Sequence, residues 1–160
     1  MPRVARKRAL PAEPDTAQLE AFVLTDVVSH LLRRAHFRAE ELFATEFGKD
    51  GLTPRQKALL ITVYQKPGAN QNELAERIAL DRNSFAEMLN RMVANGLVKR
   101  ERAQEDARAW QIHITRKGID LLGDILPRDA GVEASVMAPL PEEYRPLFIK
   151  CLKIMVGLEP

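Results

Sequence analysis

The sequence predicts a mainly α-helical protein with a small β-hairpin wing, that is, a winged helix-turn-helix flanked by N- and C-terminal dimerisation helices. Three observations lead to this fold class. Residues 70–94 have the pattern of a short helix, a tight turn and a second helix. Residues 97–114 then have the pattern of two strands joined by a charged tip. Helical periodicity continues on both sides of this unit.

Length and composition favour a single globular unit. The chain has 160 residues, of which 46% are hydrophobic and 29% charged. No apolar run is long enough to cross a bilayer, and the N-terminus lacks the apolar core of a signal peptide. The single cysteine, Cys151, cannot form an internal disulfide. We therefore expect a cytoplasmic protein with no membrane partner.

The N-terminal segment, residues 1–14, carries three prolines and no periodicity, which predicts a flexible basic arm. Its four cations suggest a polyanion partner, although a solvated tail is an equal alternative. They are Arg3, Arg6, Lys7 and Arg8. The remainder, residues 15–160, is expected to form one domain.

The first helix is predicted to be long. Asp15 and Gln18 resemble a capping box at its start, and Phe47-Gly48 is its expected end. Between them, apolar residues recur at helical spacing. These residues are Leu19, Phe22, Val23, Val27, Leu31, Ala35, Leu42 and Phe43.

The next two helices have recognisable start sites. Thr53 is predicted to cap the second helix, with Pro54 at its first position and an end at residues 66–68. Asn70, with Glu73 three residues on, is predicted to cap a short third helix. The inward-facing residues of the third helix are Leu74, Ala75 and Ile78.

A fourth helix is expected between a cap at Asp81 and a stop at residues 95–96. Its predicted buried side consists of Phe85, Leu89, Met92 and Val93. Residues 97–102 and 110–114 are the two predicted strands, with residues 103–107 as the wing tip. The second strand alternates apolar residues with polar neighbours, and its apolar positions are Trp110, Ile112 and Ile114.

Thr115 is predicted to begin a fifth helix that Pro127 kinks or interrupts, and a last helix is expected over 141–156. A winged helix needs only residues 52–116. The flanking helices, about 15–47 and 116–157, carry apolar stripes that so small a core cannot cover. This pattern favours a two-fold homodimer; the alternative is that the helices fold back on their own domain.

Four segments together resemble the MarR family of transcriptional regulators, from about Asp15 to Gly157. They are LTPRQKALL (52–60), NELAERIALDRNSFAEMLNRM (72–92), NGLVKR (95–100) and EDARAWQIHIT (105–115). The resemblance implies an obligate dimer, flanking helices that form the dimer interface, and a ligand pocket between that interface and the DNA-binding lobes.

The fourth helix is then the recognition helix, whose N-terminal residues face base edges in the major groove. The candidates are Arg82, Asn83 and Ser84, with Glu87 one turn on. Many relatives carry arginine where this chain has Glu87, so this glutamate either accepts from a cytosine amino group or faces away from the DNA. Arg91, deeper on the helix, is either a DNA contact or a structural ion-pair residue.

The wing contains Asp106 and Arg108, which match the family's Asp-x-Arg arrangement. The resemblance implies that Arg108 enters the minor groove while Asp106 orients its guanidinium; a solvated hairpin tip is the alternative. Phosphate contacts are expected from Lys99, Arg100 and Arg102. Thr53 and Gln56 are further candidates for phosphate contact; otherwise Thr53 only caps its helix and Gln56 is solvated.

An effector site is predicted on the first helix, where cationic and aromatic side chains crowd one face. The candidates are His30, Arg33, Arg34, Phe37 and Arg38. Arginine beside apolar groups suits an aromatic carboxylate or the phosphates of coenzyme A. The segment is similar to regulators of aromatic-acid breakdown, which implies an aromatic acid or an aryl-CoA thioester, with hydroxycinnamoyl-CoA as the specific expectation. In the alternative, these arginines pair with Glu40, Glu41 or a partner subunit.

Other function classes find less support. Neither a Gly-rich phosphate loop nor a Ser/His/Asp constellation is present, so we predict no enzyme and no cofactor. The histidines lack metal-ligand spacing. Cys151 lies on an apolar helical stripe, which favours burial over a redox-responsive role. An architectural, ligand-independent DNA-binding protein is the remaining alternative to a repressor that binds a palindromic operator as a dimer and leaves it when ligand binds.

Overall fold

The computed structural model describes residues 16–102 and 110–159, and it is mainly helical with one two-stranded hairpin, which confirms the predicted fold class. The helices in these residues are α1 (Thr16–Ala21), α2 (Val28–Phe47), α3 (Pro54–Gln65), α4 (Gln71–Arg77), α5 (Arg82–Ala94), α6 (Arg116–Met137) and α7 (Arg145–Met155). The strands are β1 (Val98–Arg102) and β2 (Trp110–Ile114). The predicted basic arm 1–14, the Asp15 cap and the wing tip 103–107 lie outside the described residues.

The prediction of one continuous first helix is wrong. Helix α1 ends at Ala21, a 3-10 turn follows over Leu24–Asp26, and α2 begins at Val28. Val23 and Val27, which flank the turn, have extended backbones. Both are β-branched and lose side-chain freedom in a helix, which favours the break at this point. The predicted end at Phe47 is confirmed.

The predicted helix starts in the centre of the chain are confirmed. The Thr53 side chain accepts a hydrogen bond from Gln56 N, and Gln56 Oε1 accepts one from Thr53 N, so α3 begins with a full capping box. Asn70 Oδ1 accepts from Glu73 N at the start of α4. These contacts satisfy backbone donors that have no partner within their helices.

One hydrophobic core joins α3, α4, α5 and the hairpin. Its fully enclosed residues are Phe47, Leu59, Leu60, Val63, Leu74, Phe85, Leu89, Met92, Val98, Ile112 and Ile125. Leu74 and Ala75 of α4 are buried and Ile78 is half-buried, as predicted. On α5, Val93 is half-buried while Met88 is buried, so the inner face of α5 is shifted slightly from the predicted set.

The hairpin is antiparallel, and its register pairs Val98 with Ile114 and Arg102 with Trp110. The turn after α3 extends this sheet, since Gly68 N donates to Ile112 O and Ile112 N donates to Ala69 O. Because the α3–α4 turn and β2 are joined directly, the base of the wing is attached to the start of the helix-turn-helix.

Helix α6 runs without a break through Pro127 to Met137, so the predicted interruption is wrong. Buried Leu122 and Ile125 before the proline, and Val132 after it, hold the helix on the core. Proline removes one backbone donor, and this packing offsets the loss.

Two groups of ion pairs attach α6 to its neighbours. Lys57 Nζ on α3 lies 2.6 Å from Asp129 Oδ1, and both side chains are mostly buried. Arg128 donates to Glu46 Oε1 (2.7 Å) and Asp50 Oδ2 (2.9 Å) at the end of α2, and these two carboxylates raise the pKa of its guanidinium. These pairs fix α6 against α3 and against the segment around the end of α2.

Helix α7 begins at Arg145, after a 3-10 turn over Glu142–Tyr144, and none of its residues is buried. Cys151 is exposed, so the prediction of burial on an apolar stripe is wrong for this chain by itself. Large apolar side chains on α7 are also exposed: Leu147, Ile149, Ile154 and Met155. The chain divides into two units within α2, after His36, and the described part of the first unit likewise exposes Leu19, Phe22, Val23, Leu24, Val28, Leu31 and Leu32.

Candidate nucleic-acid interface

The N-terminus of α5 presents three exposed polar residues. Asp81 Oδ1 accepts hydrogen bonds from Asn83 N (3.1 Å) and Ser84 N (3.0 Å), which confirms its predicted role as the cap. These bonds lower the pKa of Asp81, with that from Ser84 contributing most. Arg82, Asn83 and Ser84 are all exposed at this end of the helix.

The apolar side of α5, with Phe85, Leu89 and Met92, is buried in the core, so the helix presents its polar side to solvent. Glu87 and Arg91 lie on that outer side and are exposed. Arg91 forms no ion pair with the described part of the chain, which removes support for the alternative that it is a structural ion-pair residue.

The three cations of β1 already have contacts within the chain. Lys99 Nζ lies 2.6 Å from Glu101 Oε1, and this contact lowers the pKa of the Glu101 carboxyl. Arg100 donates to Asn90 Oδ1 at 2.8 Å. Arg102 stacks over Trp110, with Cζ 4.0 Å from the ring centroid. Each cation is therefore positioned by a neighbour before any partner binds.

The Arg100–Asn90 hydrogen bond joins the wing to the recognition helix. Sequence reasoning missed Asn90, since a polar residue on the outer side of a helix has no local pattern that reveals a partner on a later strand. The Arg100 guanidinium is drawn into the structure far enough that its Nε is buried and has no hydrogen-bond partner in the described residues.

Trp110 is the first residue of strand β2, which confirms the predicted strand, and its side chain is 41% exposed. Ile112, two residues further along β2, is fully buried. Apolar and polar residues therefore alternate along the whole of β2, but Trp110 lies beyond the edge of the hydrophobic core. Asp106 and Arg108, the predicted minor-groove pair, lie outside the described residues.

Gln56 is only 9% exposed, so the alternative in which it is solvated is wrong. Its side-chain oxygen and the Thr53 hydroxyl are both used in the capping box of α3. Thr53 itself is exposed at the surface.

The predicted effector residues all lie on α2. His30 is half-buried, whereas Arg33, Arg34, Phe37 and Arg38 are exposed. Arg38 Nη1 lies 2.8 Å from Glu41 Oε2, as the ion-pair alternative predicts.

A groove of about 670 Å³ lies between α5, the start of α3 and the C-terminal half of α2. Its apolar lining includes Phe43, Leu52, Leu80 and Met88. Its charged lining consists of Glu40, Arg55, Glu87 and Arg91. The recognition helix thus supplies one wall of a cavity large enough for a small organic molecule.

Within the described residues, no helix is long and apolar enough to span a membrane. Over the same ranges, no group of three His, Cys, Asp or Glu side chains has the arrangement of a metal site.

Comparison with known proteins places this arrangement among transcriptional regulators. Residues 50–109 match the MarR family. The chain is 31% identical over 106 residues to the transcriptional regulator HosA of Escherichia coli O157:H7, an alignment that spans 66% of this chain and 78% of HosA.

Two solved structures share the fold. The PcaV transcriptional regulator of Streptomyces coelicolor, in complex with its natural ligand, superposes with a TM-score of 0.77 at 26% identity, over 86% of this chain and 96% of PcaV. The transcriptional repressor CouR, bound to a 23-mer DNA duplex, superposes with a TM-score of 0.77 at 28% identity, over 83% of this chain and 94% of CouR.

Proposed function

Because the chain belongs to the MarR family of winged-helix transcriptional regulators, we propose that it is a dimeric repressor that leaves its operator when an aromatic acid or aryl-CoA thioester binds. The observation that carries this proposal is the groove of about 670 Å³ whose wall includes recognition-helix residues Ser84, Glu87 and Arg91. A ligand in this groove would contact the DNA-reading helix directly.

The DNA-binding half of the proposal uses the exposed end of α5. Arg82, Asn83 and Ser84 are the proposed major-groove contacts, and Asn83 suits adenine because its amide can donate and accept at once. Arg108, oriented by Asp106, is the proposed minor-groove contact. In a two-fold dimer the two recognition helices meet half-sites about one DNA turn apart, roughly 34 Å, which calls for a palindromic operator.

The dimer is proposed from exposed apolar surface. Helix α7 exposes 59% of Leu147 and 57% of Met155 to solvent. A monomer that left these side chains in water would carry a large apolar patch, and pairing with a second copy would cover it.

The proposed effector carries a carboxylate or phosphate next to an aromatic ring. Arg55 and Arg91 supply cations in the groove, and Phe43 supplies an aromatic wall. Arginine binds carboxylates and phosphates through paired donors. The effector contacts predicted from the sequence on α2 stay predictions, and hydroxycinnamoyl-CoA is the specific ligand we propose. Those predicted contacts are His30, Arg33, Arg34, Phe37 and Arg38.

The mechanism is a coupling between two binding sites. Ligand in the groove favours a position of α5 that fits the operator less well, so ligand and DNA weaken each other's binding by the same factor. Such coupling is typically about 1–3 kcal/mol, or roughly 5- to 150-fold in affinity.

The test is fluorescence anisotropy of a labelled duplex from upstream of the gene, with random-sequence DNA as reference and with hydroxycinnamoyl-CoA or free hydroxycinnamate added. We expect tight, sequence-selective binding that the thioester reverses. Selective binding indifferent to both compounds would reject the effector proposal. Binding no tighter than to random DNA would favour an architectural protein instead.

The position of the pocket is tested by Arg55→Gln, which changes a groove residue that we do not assign to DNA. This variant should bind the duplex normally but need about tenfold more ligand for release, since a charge-assisted hydrogen bond is lost. Arg116→Gln, an exposed arginine on α6 outside the groove, is the matched control. Release of Arg55→Gln at the same ligand concentration as the control would place the ligand elsewhere.

A further inference from the structure

Trp110 and Arg102 form an exposed stacked pair at the outer end of the hairpin. They are register partners on neighbouring strands, and the guanidinium carbon lies 4.0 Å from the centroid of the indole ring. A guanidinium over a ring face is held by the negative potential of that face. Its N–H donors lie in the guanidinium plane, and therefore at the rim of the stack.

The pair lies on the side of the sheet against which the recognition helix packs. Side chains two residues apart on a strand share a face, so Arg102 shares its face with Arg100 and Val98. Val98 is buried in the core, and Arg100 reaches Asn90 of α5. Arg102 and Trp110 therefore continue this face outward, beyond the contact between wing and recognition helix.

Trp110 also borders a second, smaller groove of about 370 Å³. The other described residues that line it are Asn70, Gln71 and Asn72. All of these side chains are uncharged, so none of them repels a phosphate, and amide groups commonly hydrogen bond to the DNA backbone.

From this placement we infer that Trp110 and Arg102 bind the sugar–phosphate strand that crosses between the major and minor grooves. The inference rests on the proposed DNA-binding function and adds Trp110 to its contacts. A recognition helix in the major groove and a wing tip in the minor groove leave one backbone strand between them. In the proposed complex, that strand passes the face that carries this pair.

The two residues have different roles in this contact. Arg102 donates to a phosphate oxygen and so contributes to affinity and salt dependence. Trp110 contacts the apolar face of a deoxyribose and holds the Arg102 guanidinium in place. The stack reduces the side-chain freedom that a lone arginine would lose on binding.

The first test compares variants of the full chain on a duplex that the wild-type protein selects from a random pool. Trp110→Leu should weaken binding about tenfold in a dimer with two such stacks, whereas Trp110→Phe should retain most of the affinity. Arg102→Gln should reduce the slope of log affinity against log salt by about two, one for each subunit. Tyr64→Leu, which removes another exposed aromatic ring, on α3, should bind as the wild type does.

The second test uses the fact that Trp110 is the single tryptophan of the chain, so its fluorescence reports on this site alone. Saturating the wild-type protein with the duplex should protect this fluorescence from iodide quenching. This measurement needs no variant and holds even if Trp110→Leu does not fold.

Two results would overturn the inference while leaving the proposed function intact. One is unchanged iodide quenching at a DNA concentration that saturates anisotropy; the other is equal affinity for folded Trp110→Leu and Tyr64→Leu. A wild-type protein that selects no duplex from the pool would overturn the proposed function and this inference together.

Discussion

Asp81 stabilises the recognition helix through its ionised form. Its carboxylate accepts from two backbone donors, and this lowers its pKa below the ordinary value of 3.8. When the pKa of a carboxyl is lower in the folded than in the unfolded protein, its ionised form stabilises the fold at any pH above the unfolded-state pKa. This stabilisation is lost as the pH falls through the folded-state pKa, because the carboxyl is then protonated in both states. We therefore expect Asp81→Ala to lower the urea midpoint near neutral pH, with the deficit shrinking as the pH falls below 3.8.

The matched control is Asp81→Asn, since asparagine caps a helix about as well as aspartate but does not titrate in this range. Urea denaturation from neutral pH down to about pH 3 would separate the two effects. A deficit of Asp81→Ala that stays constant over this range would show that the charge of the carboxylate has no part in the cap.

Predictions for single residues succeeded where a side chain interacts with backbone groups only a few positions away in the sequence. Thr53, Asn70 and Asp81 each cap a helix because an oxygen-bearing side chain precedes it by one position, a pattern visible in the sequence. Asn90 and Trp110 could not be assigned in this way. Their surroundings depend on how far β1 and β2 extend past the core, which is a property of the packed structure.

At the scale of elements, Gly118 lets α6 lie close against β2 and the residue that precedes β1. A Cβ here would collide with the Leu97 carbonyl oxygen and lie 2.7 Å from Ile114 Cγ1. Gly118→Ala should therefore lower the free energy of unfolding by about 1–3 kcal/mol, as overpacked sites generally do. Thermal or urea denaturation of the purified variant measures this directly.

Gly123 in the same helix is the control, since a Cβ there would meet nothing within 4 Å. Gly123→Ala should stabilise the protein by about 0.5–1 kcal/mol, because alanine loses less backbone entropy in a helix. Equal effects of the two substitutions would mean that contact with the hairpin does not decide the stability at Gly118.

The sequence predicted the helix boundaries except where the helical and non-helical conformations of a segment differ little in free energy. The apolar spacing around Val23 and Val27 continues across the break between α1 and α2, so periodicity alone could not locate it. At Pro127 the error was the reverse, since an interruption was predicted and the helix is continuous. Local preference disfavours a helix there, but burial of residues on both sides keeps α6 intact.

At the scale of the whole molecule, the exposed apolar side of α7 predicts that the proposed dimer can be dissociated without unfolding the chain. Leu147 and Ile154, seven residues apart on one helical face, are 59% and 45% exposed. The double substitution Leu147→Glu, Ile154→Glu should weaken the dimer at least about hundredfold, as expected when apolar anchors of an interface are lost. Sedimentation velocity measures this, and far-UV circular dichroism should stay unchanged.

Lys153→Glu is the control for added negative charge on α7. Its side chain points away from that face and makes only an exposed ion pair with Glu159. A double variant that dimerises as well as Lys153→Glu would exclude this face from the dimer interface.

If the proposed DNA contacts hold, the hydrogen bond between Arg100 and Asn90 constrains the operators that this protein can recognise. It joins β1 to α5, so in the proposed complex the protein itself sets the distance between the strand that leads to the wing tip and the helix that reads the major groove. In each half-site, the A·T-rich stretch that suits the wing must then keep a constant phase relative to the bases read by α5. Moving that stretch by one base pair would turn it by about a tenth of a helical turn relative to the bases read by α5, so we expect weaker binding to such a site.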